Sequence, residues 1–130
     1  MGLYKNPYDK YGQLTAEMWR AVRLVVDTGI HAKGWTREQV VNYFREAGPF
    51  AEQEIQAETN RYIVWAGQAL AYKIGQLKIK ELRDNSKKIL GEKFDVRKFH
   101  DQILNSGALP LPVLEQKILD WTNKDRTKAK

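Results

Sequence analysis

Helical spacing dominates the arrangement of apolar and polar positions, and no stretch alternates long enough to compete as a strand. Six helices are predicted. The first runs from Thr15, a candidate N-cap, to Lys33, with Gly34 suited to end it in the left-handed region. The second begins at Thr36, whose hydroxyl can cap while Gln39 reaches back, and stops at Gly48-Pro49. The third covers Ala51 to Trp65, and Gly67 separates it from a long, central fourth helix, Gln68 to Leu90, closed by Gly91. Asp95 caps a fifth that ends near Gly107, and Pro112 suits the first turn of a sixth. The expected architecture is all-α: residues 1–122 in a single helical assembly, followed by a basic, frayed tail at 123–130.

Two helices carry more than a core stripe. In the first, at about 100° per residue, Leu14, Met18, Val22, Val25 and Gly29 gather on one side and Arg20, Arg23, Asp27 and His31 on the other. Asp27 is four residues from both Arg23 and His31, so its carboxylate can serve both and leave an imidazole nitrogen for a substrate. A solvated polar stripe explains the same spacing. In the fourth, Leu70, Ile74 and Leu77 form an apolar line, while Gln68, Tyr72, Gly75 and Ile79 form a second line turned away from it. Gly75 costs about 1 kcal/mol relative to Ala inside a helix, which predicts a close approach of backbone or ligand there. Gln68 and Tyr72 read either as satisfied core polar groups or as a cleft wall.

Composition narrows the classes. The chain has 130 residues, 42% apolar and 29% charged, enough for a core without disulfides or metal. With no cysteine, thiol chemistry and Cys-ligated zinc are excluded. No apolar run approaches the roughly 18 residues of a membrane span, and the first eleven residues lack the pattern of a secretory signal. The net charge of +6 owes +3 to the last eight residues, and Glu81 and Asp84 interrupt the basic run Lys73 to Lys88. Both features argue against nucleic-acid binding, which concentrates charge on one face. There is no H-E-x-x-H, phosphate loop or nucleophile elbow, and the two histidines, His31 and His100, stand on different predicted helices. This chain's own His and Cys close no metal site.

Several strings in order resemble the C-terminal part of a bacterial family, the domain of unknown function 885, whose members are similar to zinc metallopeptidases. They are Gly2-Leu-Tyr-Lys-Asn-Pro-Tyr, Met18-Trp-Arg-Ala-Val-Arg-Leu-Val-Val-Asp-Thr-Gly-Ile-His31, Arg61-Tyr-Ile-Val-Trp, Gly67-Gln-Ala-Leu-Ala-Tyr-Lys-Ile-Gly75, Phe99-His-Asp and Gly107-Ala-Leu-Pro-Leu. The resemblance extends to about Trp121 and implies a C-terminal fragment of a longer helical protein whose zinc ligands and general-base Glu lie upstream. Met1 then falls inside a family helix. Where the family usually has Pro between the Trp and Gly preceding the fourth helix, this chain has Ala66, which loosens the expected break.

The resemblance implies metal-assisted peptide hydrolysis in the intact protein, with zinc as a cofactor absent from this part and a peptide as substrate. Tyr62 is then the first candidate donor to a developing oxyanion and His31, oriented by Asp27 with Arg23 beside it, the second. Arg61 would bind a substrate carboxylate or form a salt bridge, and Gln68, Tyr72 and Lys73 would line the substrate channel. The partners implied are the missing N-terminal part, a peptide and a second copy of the chain through apolar surface left open on the first or fourth helix. Family members are often exported or lipoprotein-anchored. The alternative is an independently folding helical interaction module, for protein or weak nucleic-acid contact, without catalysis.

Overall fold

A computed structural model gives the fold and describes residues 2–127. Six α-helices follow one another: α1 (Pro7–Lys33), α2 (Arg37–Ala47), α3 (Glu52–Val64), α4 (Ala71–Leu90), α5 (Val96–Leu104) and α6 (Leu111–Thr127). Single 3-10 turns occupy Gln68–Leu70 and Gly91–Lys93, and the described residues contain no strand.

Local chemistry accounts for most of the boundaries. Thr36 and Gln39 form a reciprocal capping box, and Asp95 accepts from the Arg97 N–H. Gly34, Gly67, Gly91 and Gly107 all have positive φ, where a Cβ would be strained. The start of α1 is a correction: Asn6 caps it by accepting from Tyr8 N at 2.9 Å, with Pro7 in the first turn. Thr15 lies inside the helix, its hydroxyl donating to the Tyr11 carbonyl. Consequently α1, with 27 residues, exceeds the 20 of α4, which had been expected to be the long helix. At the other end α6 runs through Asn123 to Thr127, where fraying was expected, while 128–130 and the Met1 start lie outside the described residues.

Despite Ala66, the break before α4 persists. Helix α3 stops at Val64 and Gly67 takes φ 80°, so the glycine turns the chain where the family's Pro is absent.

Contacts divide the chain into two units, up to Lys73 and from Ile74 onward. In the first, α1, α2 and α3 enclose Val22, Val26, Val40, Val41, Phe44, Ile55, Tyr62 and Ala69. In the second, Leu82, Phe99, Leu114 and Ile118 form the core, flanked by Ile79, Phe94 and Trp121, and buried Ser86 and Thr122 share a hydrogen bond of 3.0 Å.

Two amphipathic readings are overturned. On α1 the inward line is Trp19, Val22, Arg23, Val26, Asp27 and Ile30, whereas Leu14, Met18 and Val25 are exposed. Of the supposed polar face Arg23 and Asp27 point inward, because partners on the 67–68 turn receive them, while Arg20 and His31 stay exposed. On α4, Ile74 and Leu77 are exposed and Leu82, Ser86 and Leu90 are buried. A Cβ at Gly75 would meet nothing within 4 Å, so no close approach explains that glycine. The crowded glycine is Gly29: the N–H groups of Gly34 and Trp35 both return to its carbonyl. That turn lays the Trp35 ring where a Cβ would come within 2.5 Å of it.

Candidate functional site

A concavity of about 690 Å³ opens in the first unit. Its walls come from α1 (Tyr11, Trp19, Arg20 and Arg23 among them), the Pro49–Phe50–Ala51 corner, and Glu54, Ala57 and Glu58 of α3. Pro49 follows the end of α2, and the corner it makes seats Phe50 edge-on to Trp19, ring centroids 4.8 Å apart. The result is an aromatic floor between a basic bank on α1 and an acidic bank on α3.

Behind this surface lies a continuous polar network. Tyr62 is 1% exposed; its hydroxyl donates to Glu58 Oε2 at 2.7 Å and accepts from Trp19 Nε1 at 3.0 Å. Arg61 donates Nε to Glu58 Oε1 at 2.8 Å, pairs through Nη2 with the other carboxylate oxygen, and sends Nη1 to Gln68 Oε1 at 3.2 Å. Gln68 Oε1 also accepts from Arg23 Nη2 at 2.8 Å. The Arg23 guanidinium lies 5.4 Å from the Tyr62 ring centroid and 5.6 Å from that of Tyr72, where Arg20 also sits at 5.3 Å.

The electrostatics follow from these contacts. Hydrogen bonds from Arg61, and then from Tyr62, hold the Glu58 carboxyl below the usual carboxylate range. Burial, reinforced by Glu58, pushes the Tyr62 phenol up to about 12. At neutral pH the tyrosine is therefore a protonated donor whose proton is engaged by an ionised glutamate.

Of the residues singled out in the sequence, Arg23, Arg61, Tyr62, Gln68 and Tyr72 come together. Arg61 forms the salt bridge that was one of its two readings. Lys73 pairs with Glu17 at 3.2 Å. The expected Arg23–Asp27–His31 relay is absent among the described residues. Both Asp27 oxygens accept the Gly67 N–H, at 3.2 and 3.0 Å, and His31 Nε2 lies 2.9 Å from the Tyr62 carbonyl. The competing partners are main-chain groups at the end of α3 and beyond it, which i,i+4 spacing on α1 cannot reveal. Sequence reasoning missed Trp19, Phe50 and Glu58. The Glu58–Arg61 and Glu58–Tyr62 spacings of three and four residues were a readable signal.

Among the described residues no group of three or more His, Cys, Asp or Glu could hold a metal ion, so these side chains alone do not fit zinc. Nor is any described helix long and apolar enough to cross a membrane.

Comparison with known proteins gives matches of two kinds. The family model described as "Bacterial protein of unknown function (DUF885)" matches residues 1–118. A solved structure described as "the putative lipoprotein from Colwellia psychrerythraea" is 50% identical, with a TM-score of 0.90. That alignment covers 95% of this chain and 21% of the other, so the chain spans about a fifth of that protein's length. Among curated proteins nothing matches.

Proposed function

The chain belongs to the bacterial DUF885 family, and from that premise we propose that it forms the substrate-cleft portion of a longer, zinc-dependent metallopeptidase-like protein and is inactive alone. The observation that supports this reading is the concavity of about 690 Å³ with an aromatic floor and oppositely charged banks. Its size and lining suit a short peptide. Zinc chemistry belongs to the remainder of the longer protein, and the work of this chain is to bind and orient the peptide.

In this reading Arg20, Arg23, Trp19 and Phe50 meet the substrate. Tyr62, buried and committed to Glu58, is a positioning residue: it couples Trp19 on one bank to Glu58 on the other. Gln68 and Arg61 brace the guanidinium of Arg23 from behind. His31 anchors α1 to the end of α3 through the Tyr62 carbonyl. The longer protein is exported or lipid-anchored, a reading supported by the description of the solved relative.

Peptide hydrolysis by the longer gene product, measured with and without a chelator, is the test. Chelator-sensitive cleavage by that product and none by the 130-residue chain is expected. A longer product without zinc-dependent cleavage, or an isolated chain that cleaves peptides, overturns the reading.

A second reading has its own observation. Leu14, Met18 and Val25 stand exposed along α1, a face suited to a helical interaction module. Self-association through this face is expected of the fragment reading as well, so a chain that self-associates, loses this with Met18→Glu and binds no peptide favours the module, while peptide binding counts against it.

A further inference from the structure

On the α1 bank of the concavity two guanidiniums lie near each other with no carboxylate in hydrogen-bond contact among the described residues. Arg23 is 7% exposed, donates Nη2 to the neutral amide of Gln68, and keeps its Nε buried without a partner. Arg20, one turn away, donates Nη1 to the Ala16 carbonyl of its own helix. Both rest on the Tyr72 ring, at 5.3 and 5.6 Å from its centroid, and both line the concavity. Neither is in an ion pair among the described residues. The acid best placed to neutralise Arg23 by helical spacing, Asp27, is spent on the Gly67 N–H.

A buried guanidinium whose one hydrogen-bond partner is neutral is costly, since its desolvation is offset by ring contacts, an amide and the nearby charge of Glu58, which Arg61 already pairs. An incoming anion adds charge compensation and accepts from the exposed Arg20 guanidinium, with Arg23 behind it as the second positive charge. The rest of the concavity says which anion. Glu54 and Glu58 on the opposite bank repel a polyanion such as a nucleotide. Tyr11, Trp19 and Phe50 offer apolar surface beside the arginines. A single carboxylate attached to an apolar body fits both conditions.

We propose that this concavity binds a peptide through a carboxylate gripped by Arg20 and Arg23, with the adjoining apolar side chain seated on Trp19 and Phe50. The assignment deepens the cleft reading above and rests on it for the identity of the ligand as a peptide. Arg61, whose guanidinium is committed to Glu58, takes no part in the grip.

Calorimetric titration of the full 130-residue chain, with no zinc present, tests the proposal. The probes are N-acetyl-Gly-Phe as free acid, the same peptide as its C-terminal amide, and N-acetyl-Asp-Phe-amide, which carries its carboxylate on a side chain. The free acid is expected to bind at least about tenfold more tightly than the amide, about 1.4 kcal/mol, with an affinity that falls as salt rises. Tight binding of the Asp peptide as well extends the site to side-chain carboxylates, while weak binding restricts it to peptide C-termini. Arg20→Gln, on the exposed side of the helix, should reduce the acid-to-amide ratio towards one, as should Arg23→Gln where circular dichroism shows it folded.

Equal affinity for acid and amide, binding of neither, or a ratio that survives Arg20→Gln overturns the proposal. Because the assay contains no metal and no hydrolysis, those results leave the peptidase reading to its own test. Conversely, selective binding with no zinc-dependent cleavage by the longer product removes only that reading.

Discussion

Replacing Asp27 with Ala tests the joint on which the candidate site depends. The carboxylate is 3% exposed and takes the Gly67 N–H on both oxygens, at 3.2 and 3.0 Å. Gly67, at φ 80°, opens the turn that carries Gln68, and Gln68 Oε1 in turn meets Arg23 and Arg61. A hydrogen bond to a charged group contributes about 1.5–3 kcal/mol, so Asp27→Ala should cost about 2 kcal/mol, close to 30-fold in the unfolding equilibrium. Asp27→Asn keeps one acceptor and should lose about half as much. Urea titration followed by tryptophan fluorescence in a Trp121→Phe background confines the signal to Trp19, Trp35 and Trp65, all in the first unit. With a slope of about 1.5 kcal/mol per molar urea, the Ala variant should unfold more than 1 M earlier. A midpoint within about 0.3 M of the parent would show that Asp27 does not hold the turn.

Four further outcomes follow from burial, contact and charge. Gly29→Ala, whose Cβ would come within 2.5 Å of the Trp35 ring, should destabilise by about 1–3 kcal/mol. Gly75→Ala, in open space within α4, should stabilise by about 0.5–1 kcal/mol; equal effects in thermal melts would refute the contrast. Thr59 is fully buried with an unpartnered hydroxyl, so Thr59→Val should raise stability by about 1 kcal/mol, and a loss in urea titration would reveal a partner for that oxygen. Glu58 has a lowered pKa, so its stabilisation is complete above the unfolded-state value near 4.3 and disappears as pH falls through the lower folded-state value. Glu58→Gln should flatten the acid limb of the stability curve in that window; an unchanged limb would argue against the pairing with Arg61 and Tyr62.

What could be read from sequence was whatever a few neighbouring residues decide. The Thr36–Gln39 box, the left-handed glycines at 34, 67 and 91, and the Asp95 cap are all local, and all stand where spacing put them. The Asn6-Pro7 start was equally local and was overlooked in favour of Thr15. The all-α class followed from these signals together with the missing alternation. The candidate site was only half legible, because three of its determining bonds join residues far apart in sequence. Asp27 to Gly67 spans 40 positions, Trp19 to Tyr62 spans 43, and Arg23 to Gln68 spans 45. Helical spacing identified Asp27 and Arg23 as a polar pair and read it either as support for His31 or as a solvated stripe, since nothing within α1 announces that a turn past α3 will receive them. Exposed Leu14 and Met18 misled in the opposite sense: their apolar character pointed inward although the inward line is anchored by Trp19 and Ile30.

The most direct test of the cleft is to map a bound peptide on the isotope-labelled chain by nuclear magnetic resonance. Titration with N-acetyl-Gly-Phe should move the Trp19 indole N–H together with the backbone amides of 11–23 and 50–58, leaving 96–127 unchanged. Shifts confined to the second unit, or none at saturating peptide, would contradict the claim that α1 and α3 enclose a peptide-binding concavity.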